Sequence, residues 1–589
     1  MGRRARLYVV GSLASVASLM AAVPAAAQSV APTREELTRP QLAPPPAKST
    51  LNVIGGVERS PCPLANPEFA DVRVTLTDVD FHNLKGATPE EMRQTWAEYA
   101  GTEHPVSVIC EIRDRAATYL RNKGYLAAVQ VPTQRIENGQ VRLELLYARV
   151  TTIRARGQTG GAEAKLAGYL SKLTQDEVFD RNRAERYLLL ARDLPGYNVQ
   201  LILKPAGTAP GEMIGEVNVI RRPYAVDAMV SNLAAEETGR WGGQLRAQAF
   251  GITGLGDETS VSIYSTSDFK EQQIFQASHS FRPGNEGLTV NGQFTYAWSK
   301  PDIDKQSSAD PDLKSRTLFA TLGLAYPLIR TQQKNLTLGA GFDFVNQKTD
   351  FFVPLSRDRL RVLWARADFD AVDLRSRRPK WRVGGTLELR HGIGVFDASE
   401  TCPQVGCADG STPQARIDAD PTAGLIRFTG TAEIGLGDSL AVAVSPRAQY
   451  AFDKLLPFEQ FTAGNYTIGR GYEPSILTGD SGAGVAVELR GPRLTPFQRT
   501  PLQVQPYVFG DAIWVWTKDS PIEDVPGSHF HDPRHVKSVG GGLRGEFGDR
   551  AAIDVSIAVP VEKAGLFEER RKPDPRFLLT LTTRLLPWS

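Results

Sequence analysis

Leu336-Thr337-Leu338-Gly339-Ala340-Gly341-Phe342-Asp343-Phe344 changes character at every step. A period of two is the side-chain repeat of a β-strand, so Leu336, Leu338, Ala340, Phe342 and Phe344 share one face, opposite Thr337, Gly339, Gly341 and Asp343. The pattern recurs from Tyr224 onward: Ile553, Val555, Ile557 and Val559 stand against Ala552, Asp554, Ser556 and Ala558, and Phe577, Leu579, Leu581, Thr583 and Leu585 against Leu578, Thr580, Thr582 and Arg584. In a soluble sandwich the apolar row faces a core. In a transmembrane barrel it faces lipid, and the small polar row faces water.

The connections decide between these two. We count about sixteen alternating segments, and the breaks between them alternate short and long. The short breaks include 282–286, 375–380, 435–439 and 547–550, and the long ones include 300–314, 397–413, 455–480, 518–534 and 562–576. Short turns on one rim and long loops on the other are the asymmetry of a bacterial outer-membrane barrel, and a sandwich has no reason for it. An even count places both ends of the barrel, spanning 223–589, on the periplasmic rim.

The rest of the chain agrees with this compartment. Three arginines within Met1–Arg6, an apolar run over Leu7–Val23 and Ala25-Ala26-Ala27 read as a signal peptide over 1–27. After Gln28 no apolar run is long enough to cross a bilayer as a helix, which leaves a strand-built span open. Residues 28–70 read as a proline-rich linker with little stable structure, in which Thr33 to Leu37 can form a short helix that Pro40 stops. Four cysteines suit an oxidising compartment: Cys402 and Cys407 form a candidate loop staple, and Cys62 and Cys110 are the remaining candidates for a pair. Neither pair has zinc-ligand company, so no metal is expected, and no cofactor motif is found. A formal net charge of +2 without a basic block gives no electrostatic support for nucleic-acid binding.

Between linker and barrel lie two small α+β modules. The first, 71–148, reads as a strand through Val72, Val74 and Leu76, helices over Pro89–Tyr99 and Val106–Lys123, and strands over Ala127–Thr133 and Val141–Ala148 joined at Glu137-Asn138-Gly139. The second, 149–222, repeats the order, with strand 150–156, helices 163–172 and 181–192, and strands 199–205 and 214–221. The stripe Ala184, Tyr187, Leu188 and Ala191 reads as core packing.

At this level the chain resembles the TpsB transporters of two-partner secretion, in the superfamily that includes BamA. The resemblance covers nearly the whole mature chain. It is carried by Tyr119-Leu120-Arg121-Asn122-Lys123-Gly124-Tyr125, Val131-Pro132-Thr133-Gln134 and Gly139-Gln140-Val141-Arg142-Leu143 in the first module, and by Glu185-Arg186-Tyr187-Leu188-Leu189-Leu190 and Asp193-Leu194-Pro195-Gly196 in the second. In the barrel it is carried by Arg470-Gly471-Tyr472 and Phe509-Gly510-Asp511. It implies two periplasmic POTRA domains followed by a 16-stranded antiparallel transmembrane β-barrel, which export a large haemolysin- or adhesin-like client exoprotein across the outer membrane. A BamA/TamA-like barrel assembly factor is the alternative. Further implied partners are outer-membrane lipid, and periplasmic chaperones and the barrel assembly machinery during biogenesis. The transporter is expected to be a monomer and not an enzyme.

The family's arginine-glycine-aromatic tip belongs to the sixth outer loop, which folds into the barrel and pairs with an aspartate on the thirteenth strand. Counting segments makes 455–480 that loop and 502–516 that strand, with Gln503, Gln505, Tyr507, Phe509 and Asp511 facing the lumen. The resemblance thus assigns Arg470, Gly471 and Tyr472 to the pore loop and Asp511 and Phe509 to the wall. Glu488, inward on the preceding strand, is a second candidate partner. Gly124, Tyr125, Pro132 and Gln134 are the candidate client contacts. Gly469 stands where the family usually has an aliphatic residue, Ile513 stands where it often has glycine, and the linker offers no long plug helix.

A loop of this length can descend and return about 13 residues each way, roughly 40 Å, against an apolar band of about 25 Å. In a watery lumen the arginine–aspartate pair is expected to contribute about 1 kcal/mol, and more where it is desolvated. Gly479-Asp480-Ser481-Gly482 resembles a serine-protease nucleophile, but no histidine stands in a matching context. His529, His531 and His535 read as a solvated loop.

Overall fold

The computed structural model describes residues 31–38, 51–53, 61–302, 313–374, 376, 379–401, 412–497, 499–518, 532–564 and 572–586. Cys402, Cys407, His529 and His531, and the expected signal peptide, lie outside them.

The first module packs two helices on a three-stranded sheet. Helix Val108–Asn122 turns Val108, Ile109, Ile112, Ala116, Ala117 and Leu120 inward, a three-and-four spacing that makes one apolar face. The short helix Pro89–Arg93 opens with a capping box between Thr88 and Glu91. The central strand Gln140–Tyr147 pairs in parallel with Asp78–His82 and antiparallel with Ala127–Gln130. The first sheet strand is therefore Asp78–His82, not the segment through Val72, Val74 and Leu76 expected from sequence. The burial phase explains the difference. Val74 and Leu76 are buried at even positions and Val79 and Phe81 at odd ones, so the chain slips one residue at Thr77. Residues Arg73–Thr75 form a separate two-stranded ribbon with Glu103–Pro105. Asn138 (φ 50°) and Gly139 (φ 73°) supply the paired positive φ values of the turn before the central strand. A disulfide joins Cys62 to Cys110 and ties the end of the linker to the long helix.

The second module has strands Arg149–Gly157, Tyr197–Pro205 and Glu212–Arg221 and helices Glu163–Ser171 and Arg181–Arg192. Linker residues Leu51–Val53 add a fourth strand, parallel to Tyr197–Pro205. Helix Arg181–Arg192 is held on the periplasmic turns of the barrel. Arg330 donates twice to the Asp193 carboxylate, both at 2.7 Å, Arg186 donates to the Pro327 carbonyl at 2.8 Å, and Glu185 accepts from the Gln332 amide at 2.7 Å. Glu286, in a periplasmic turn, takes hydrogen bonds from Tyr187 at 2.9 Å and from Lys172 at 2.8 Å. The Lys172 bond, joined by Tyr187, holds the Glu286 carboxyl below its ordinary range and raises Lys172 in turn.

Sixteen antiparallel strands close the barrel. They are β1 (Tyr224–Ser231), β2 (Gly242–Phe250), β3 (Glu258–Thr266), β4 (Gln272–Phe281), β5 (Thr289–Ser299), β6 (Leu313–Arg330), β7 (Lys334–Phe351) and β8 (Val353–Val372). The second half comprises β9 (Trp381–Gly392), β10 (Gly424–Leu436), β11 (Leu440–Ala451), β12 (Ser481–Arg490), β13 (Leu502–Trp516), β14 (Arg534–Phe547), β15 (Ala551–Pro560) and β16 (Arg576–Leu586). Strand β1 pairs with β16, so no edge is left open. Leu322, Leu338, Leu363, Val508 and Ile557 are exposed on the outer wall, as a lipid-facing row requires. The opposite parity carries Thr317, Asp343, Glu388 and Asp511, all buried.

Candidate functional site

The connection between β11 and β12 folds into the barrel. Phe461–Ala463 and Leu477–Gly479 form a small ribbon at its neck, and Asp480 secures its base by accepting from the Leu455 amide at 2.8 Å, the Lys518 amide at 2.9 Å and Arg416 Nη1 at 2.5 Å. Asp480 and Ser481, the protease-like pair, are thus structural. Ser481 Oγ accepts from the Ala451 amide at 3.0 Å.

At the tip, Arg470 Nη2 and Nε donate to Asp511 of β13 at 2.7 and 3.1 Å, and the Arg470 amide donates to the same carboxylate at 2.9 Å. Nη1 donates to Glu488 of β12 at 2.8 Å, and the guanidinium lies 3.5 Å over the Phe509 ring. The side chain of Arg470 is 17% exposed and that of Asp511 is 0%. The pair is therefore drier than a watery lumen, and the sequence-based figure of about 1 kcal/mol applies to a more exposed pair than this one.

Each neighbour of the arginine has a steric reason. A Cβ on Gly471 would come within 2.8 Å of the Pro560 nitrogen and 2.9 Å of Ser538 Cβ, so only glycine allows this approach to β14 and β15. Tyr472 is fully buried, and its hydroxyl joins the backbone of Lys537 and Glu562. Gly469 has φ 113°, a conformation that the family's aliphatic residue would not favour. Ile513 is buried beside Ile468, Tyr472 and Val536, and the absence of a side chain on Gly484 leaves it room.

Glu488 is more than a second partner. It also accepts two bonds from Arg544 at 2.9 Å and one from Arg490 at 3.0 Å. Arg544 in turn donates to Asp554 at 2.8 Å, and Ser538 Oγ donates to Asp511 at 3.1 Å.

A second charged cluster lies in the same lumen, and sequence reasoning missed it. The segment 31–38 enters the barrel, and the short helix that the sequence allows over Thr33 to Leu37 forms there as one turn, α1 (Arg34–Leu37), capped by Thr33. Leu37 packs with barrel residues Phe319, Val345 and Leu360 and with Phe458 of the loop. The Pro32 and Leu37 carbonyls accept from Gln347 at 3.0 Å and from Gln276 at 2.7 Å. Arg34 lies 3.4 Å from Glu388 and 3.6 Å from Glu459. Arg390 joins Asp343, Glu388 and Glu459 at 2.7, 3.0 and 2.7 Å, and Arg427 lies 3.7 Å from Glu459. Glu35 bonds Arg447 of β11. One signal was in the sequence: Asp343, Glu388 and Arg390 all fall on the lumen parity of their strands. Nothing in the linker announced Arg34 as their partner.

The candidate client contacts are spread differently. Gly124 (φ 105°) and Tyr125 lie at the joint between the modules, where Arg181 donates its amide to the Gly124 carbonyl at 2.8 Å and Tyr125 bridges to Asp180. Gln134 clamps the backbone of Arg142 through two 2.7 Å bonds, and Pro132 follows the edge strand Ala127–Gln130. His535 lies 3.3 Å from Glu562, and no metal-competent cluster occurs among the described residues.

A family model described as haemolysin secretion/activation protein ShlB/FhaC/HecB matches residues 217–529, more than half of the chain. The chain belongs to that family. A model of the ShlB-type POTRA domain matches residues 74–147. The heme/hemopexin transporter protein HuxB of Haemophilus influenzae strain 86-028NP is 22% identical over 88% of this chain and 89% of its own. Among solved structures, CdiB from Escherichia coli superposes with a TM-score of 0.70 at 17% identity, covering 90% of this chain and 94% of its own. CdiB from Acinetobacter baumannii does so with 0.62 at 16%, covering 97% of both chains. BamA from Haemophilus ducreyi lacking POTRA domains 1–3 reaches 0.50 at 14%, covering 87% of this chain and 100% of its own. Family and fold together make the protein an outer-membrane transporter of two-partner secretion, with its POTRA domains in the periplasm. Such a transporter serves a large secreted exoprotein and is not of an enzyme class.

Proposed function

We propose that the client is a haemolysin- or adhesin-like exoprotein, received unfolded by the first module and passed through a lumen gated by the loop 455–480. The observation that carries the gate is the Arg470 fork on Asp511, with Glu488 as a third anchor. It fastens a loop inside a barrel too wide to be filled by its own wall side chains. Gly471 and Tyr472 let the tip lie close to the wall, and Phe509 covers the guanidinium.

Reception is supported by the edge strand Ala127–Gln130, which among the described residues pairs on one side only, so an extended client segment can add there as a further strand. Pro132 and Gln134 border that edge. Gly124 and Tyr125 contribute by fixing the angle between the modules. The corresponding edge of the second module is covered by Leu51–Val53. The transporter acts as a monomer among outer-membrane lipids, and reaches the membrane with the help of periplasmic chaperones and the barrel assembly machinery. Export draws on folding of the client outside the cell.

The test is the culture supernatant of a deletion strain complemented with the parent or with Val129→Pro, which blocks strand addition at the edge. Loss of one large exported protein in the deletion strain, restored by the parent and not by the variant, is expected. Unchanged secretion accompanied by general depletion of outer-membrane barrels would overturn the reading.

A further inference from the structure

The outer wall of β6, β7 and β8 ends in a row of cations. On β6 the outward residues run Leu324, Leu322, Ala320, Leu318 and then Arg316; on β7, Leu338, Ala340, Phe342, Phe344, Asn346 and then Lys348; on β8, Leu363, Arg361, Arg359 and then Arg357. The register sets Arg316 opposite Lys348, and Lys348 opposite Arg357. With neighbouring strands about 4.8 Å apart, three cations fall within roughly 10 Å along one line.

Like charges directly opposed across strands destabilise a sheet, so this row needs counter-charge. Protein carboxylates supply little of it. Asp350 lies 2.9 Å from Lys348, and Asp397 is bonded to Arg359. Among the described residues, Arg316 and Arg357 have no carboxylate within ion-pair distance, and both are exposed. Lys537, outward on β14, shows the contrast, because Glu562 neutralises it at 2.8 Å.

The level of the row identifies the missing anion. Trp298 of β5 stands opposite Arg316 and is stacked edge-on with Tyr296 at 4.5 Å. Phe344 lies below Lys348, and Phe396 packs 6.1 Å from Phe342. A belt of aromatics marks the boundary between hydrocarbon and headgroups, so the cations lie at headgroup height on the loop-bearing side.

We propose that Arg316, Lys348 and Arg357 bind the phosphates of an outer-leaflet lipid carrying more than one headgroup phosphate, with its acyl chains along Leu318, Leu322, Leu324 and Phe344. Two guanidinium forks flanking one ammonium suit paired phosphates, each fork taking a phosphate through two parallel hydrogen bonds. The long strands fit this role. At 18 to 20 residues, β6–β8 continue past the apolar band, and the lipid braces them where they leave it.

The experiment uses the full chain, purified in detergent and loaded with bisphosphorylated lipid A, with retained lipid counted by native mass spectrometry. The variant Arg316→Gln/Lys348→Gln/Arg357→Gln is expected to lose affinity on the order of a hundredfold, about fivefold for each cation removed. Lys537→Gln is expected to retain the lipid as the parent does. Equal retention by the triple variant, or equal binding of dephosphorylated lipid by the parent, overturns the proposal. Displacement of the lipid by equimolar inorganic phosphate overturns the lipid as ligand. Should the triple variant fail to fold, the parent decides: its unfolding temperature rises with bisphosphorylated lipid A and not with the dephosphorylated form, and equal shifts refute the site.

Discussion

Replacing Arg470 by alanine removes three charge-assisted hydrogen bonds, two to Asp511 and one to Glu488. The two carboxylates suffer unequally. Glu488 keeps Arg544 and Arg490, whereas Asp511, with a side chain 0% exposed, keeps the residue-470 amide and Ser538 Oγ but no cation. Removing one partner of a buried ion pair costs about 3–5 kcal/mol. Because the loop can leave and let water reach Asp511, the docked loop should lose about 3 kcal/mol, a shift of roughly a hundredfold in the docked-to-undocked ratio. Arg470→Lys keeps the charge without the fork and should lose about half as much. In planar bilayers the alanine variant should show a larger open fraction than the parent, with secretion of the client reduced and heat-modifiable migration unchanged. Asp511→Ala should behave alike, and the double variant should be no worse than either single one, giving a coupling of about 2–3 kcal/mol. A correctly inserted Arg470→Ala protein with parental conductance and parental secretion would falsify the gating role, and strictly additive single effects would remove the pair as its basis.

Other perturbations separate the parts of the molecule. Arg330→Ala frees Asp193 from a partly exposed bidentate pair and should weaken docking of the second module by about 1 kcal/mol; secretion falls while channel conductance stays parental, as parallel assays would show. Arg34→Ala leaves Asp343, Glu388 and Glu459 to Arg390 and Arg427 alone and should loosen α1 by about 1–3 kcal/mol, read as a raised basal conductance of the inserted protein. Glu286 has its carboxyl lowered in the folded protein, so its contribution is complete above the ordinary carboxylate range and is lost as pH falls through the lowered value. Hydrogen exchange in the turn 282–287 should thus be flat near neutral pH and rise only in acid, and Glu286→Gln should abolish that acid step.

The barrel was legible because lipid on one side and water on the other impose strict alternation over long strands, and because an asymmetric rim leaves its mark in loop lengths. The thirteenth strand and the sixth loop could be counted for the same reason. The small modules were less legible. In the first, a one-residue slip at Thr77 broke the alternation, and the strand Asp78–His82 went unread. The short helix of segment 31–38 was legible, but its place inside the barrel was not, on physical grounds. Four helical residues followed by prolines carry no amphipathic signal, and their place derives from Asp343, Glu388 and Glu459, each more than 300 positions from Arg34. The motif around Glu185, Arg186, Tyr187 and Asp193 was recognised as a resemblance, but its contacts with Gln332, Pro327, Glu286 and Arg330 emerge only in three dimensions.

The loop 455–480 is held at two places by different chemistry. At its tip, Arg470 contributes the cation to acids fixed on β12 and β13. Near its root, Glu459 contributes the anion to arginines fixed on β9 and β10 and to Arg34 of α1. The second cluster is balanced, with Arg34, Arg390 and Arg427 facing Asp343, Glu388 and Glu459. Withdrawal of α1 takes Glu35 from Arg447 along with Arg34, so the charge balance holds, but the loop root loses the Arg34 contact with Glu459 and the packing of Leu37 with Phe458. Unlike Asp343 and Glu388, Glu459 is not mounted on a barrel strand, so the loop root is the part that these lost contacts set free. Departure of the N-terminal segment therefore favours departure of the loop root, and the tip pair is left as the last fastening. This order makes the effects of Arg34→Ala and Arg470→Ala on conductance more than additive when combined.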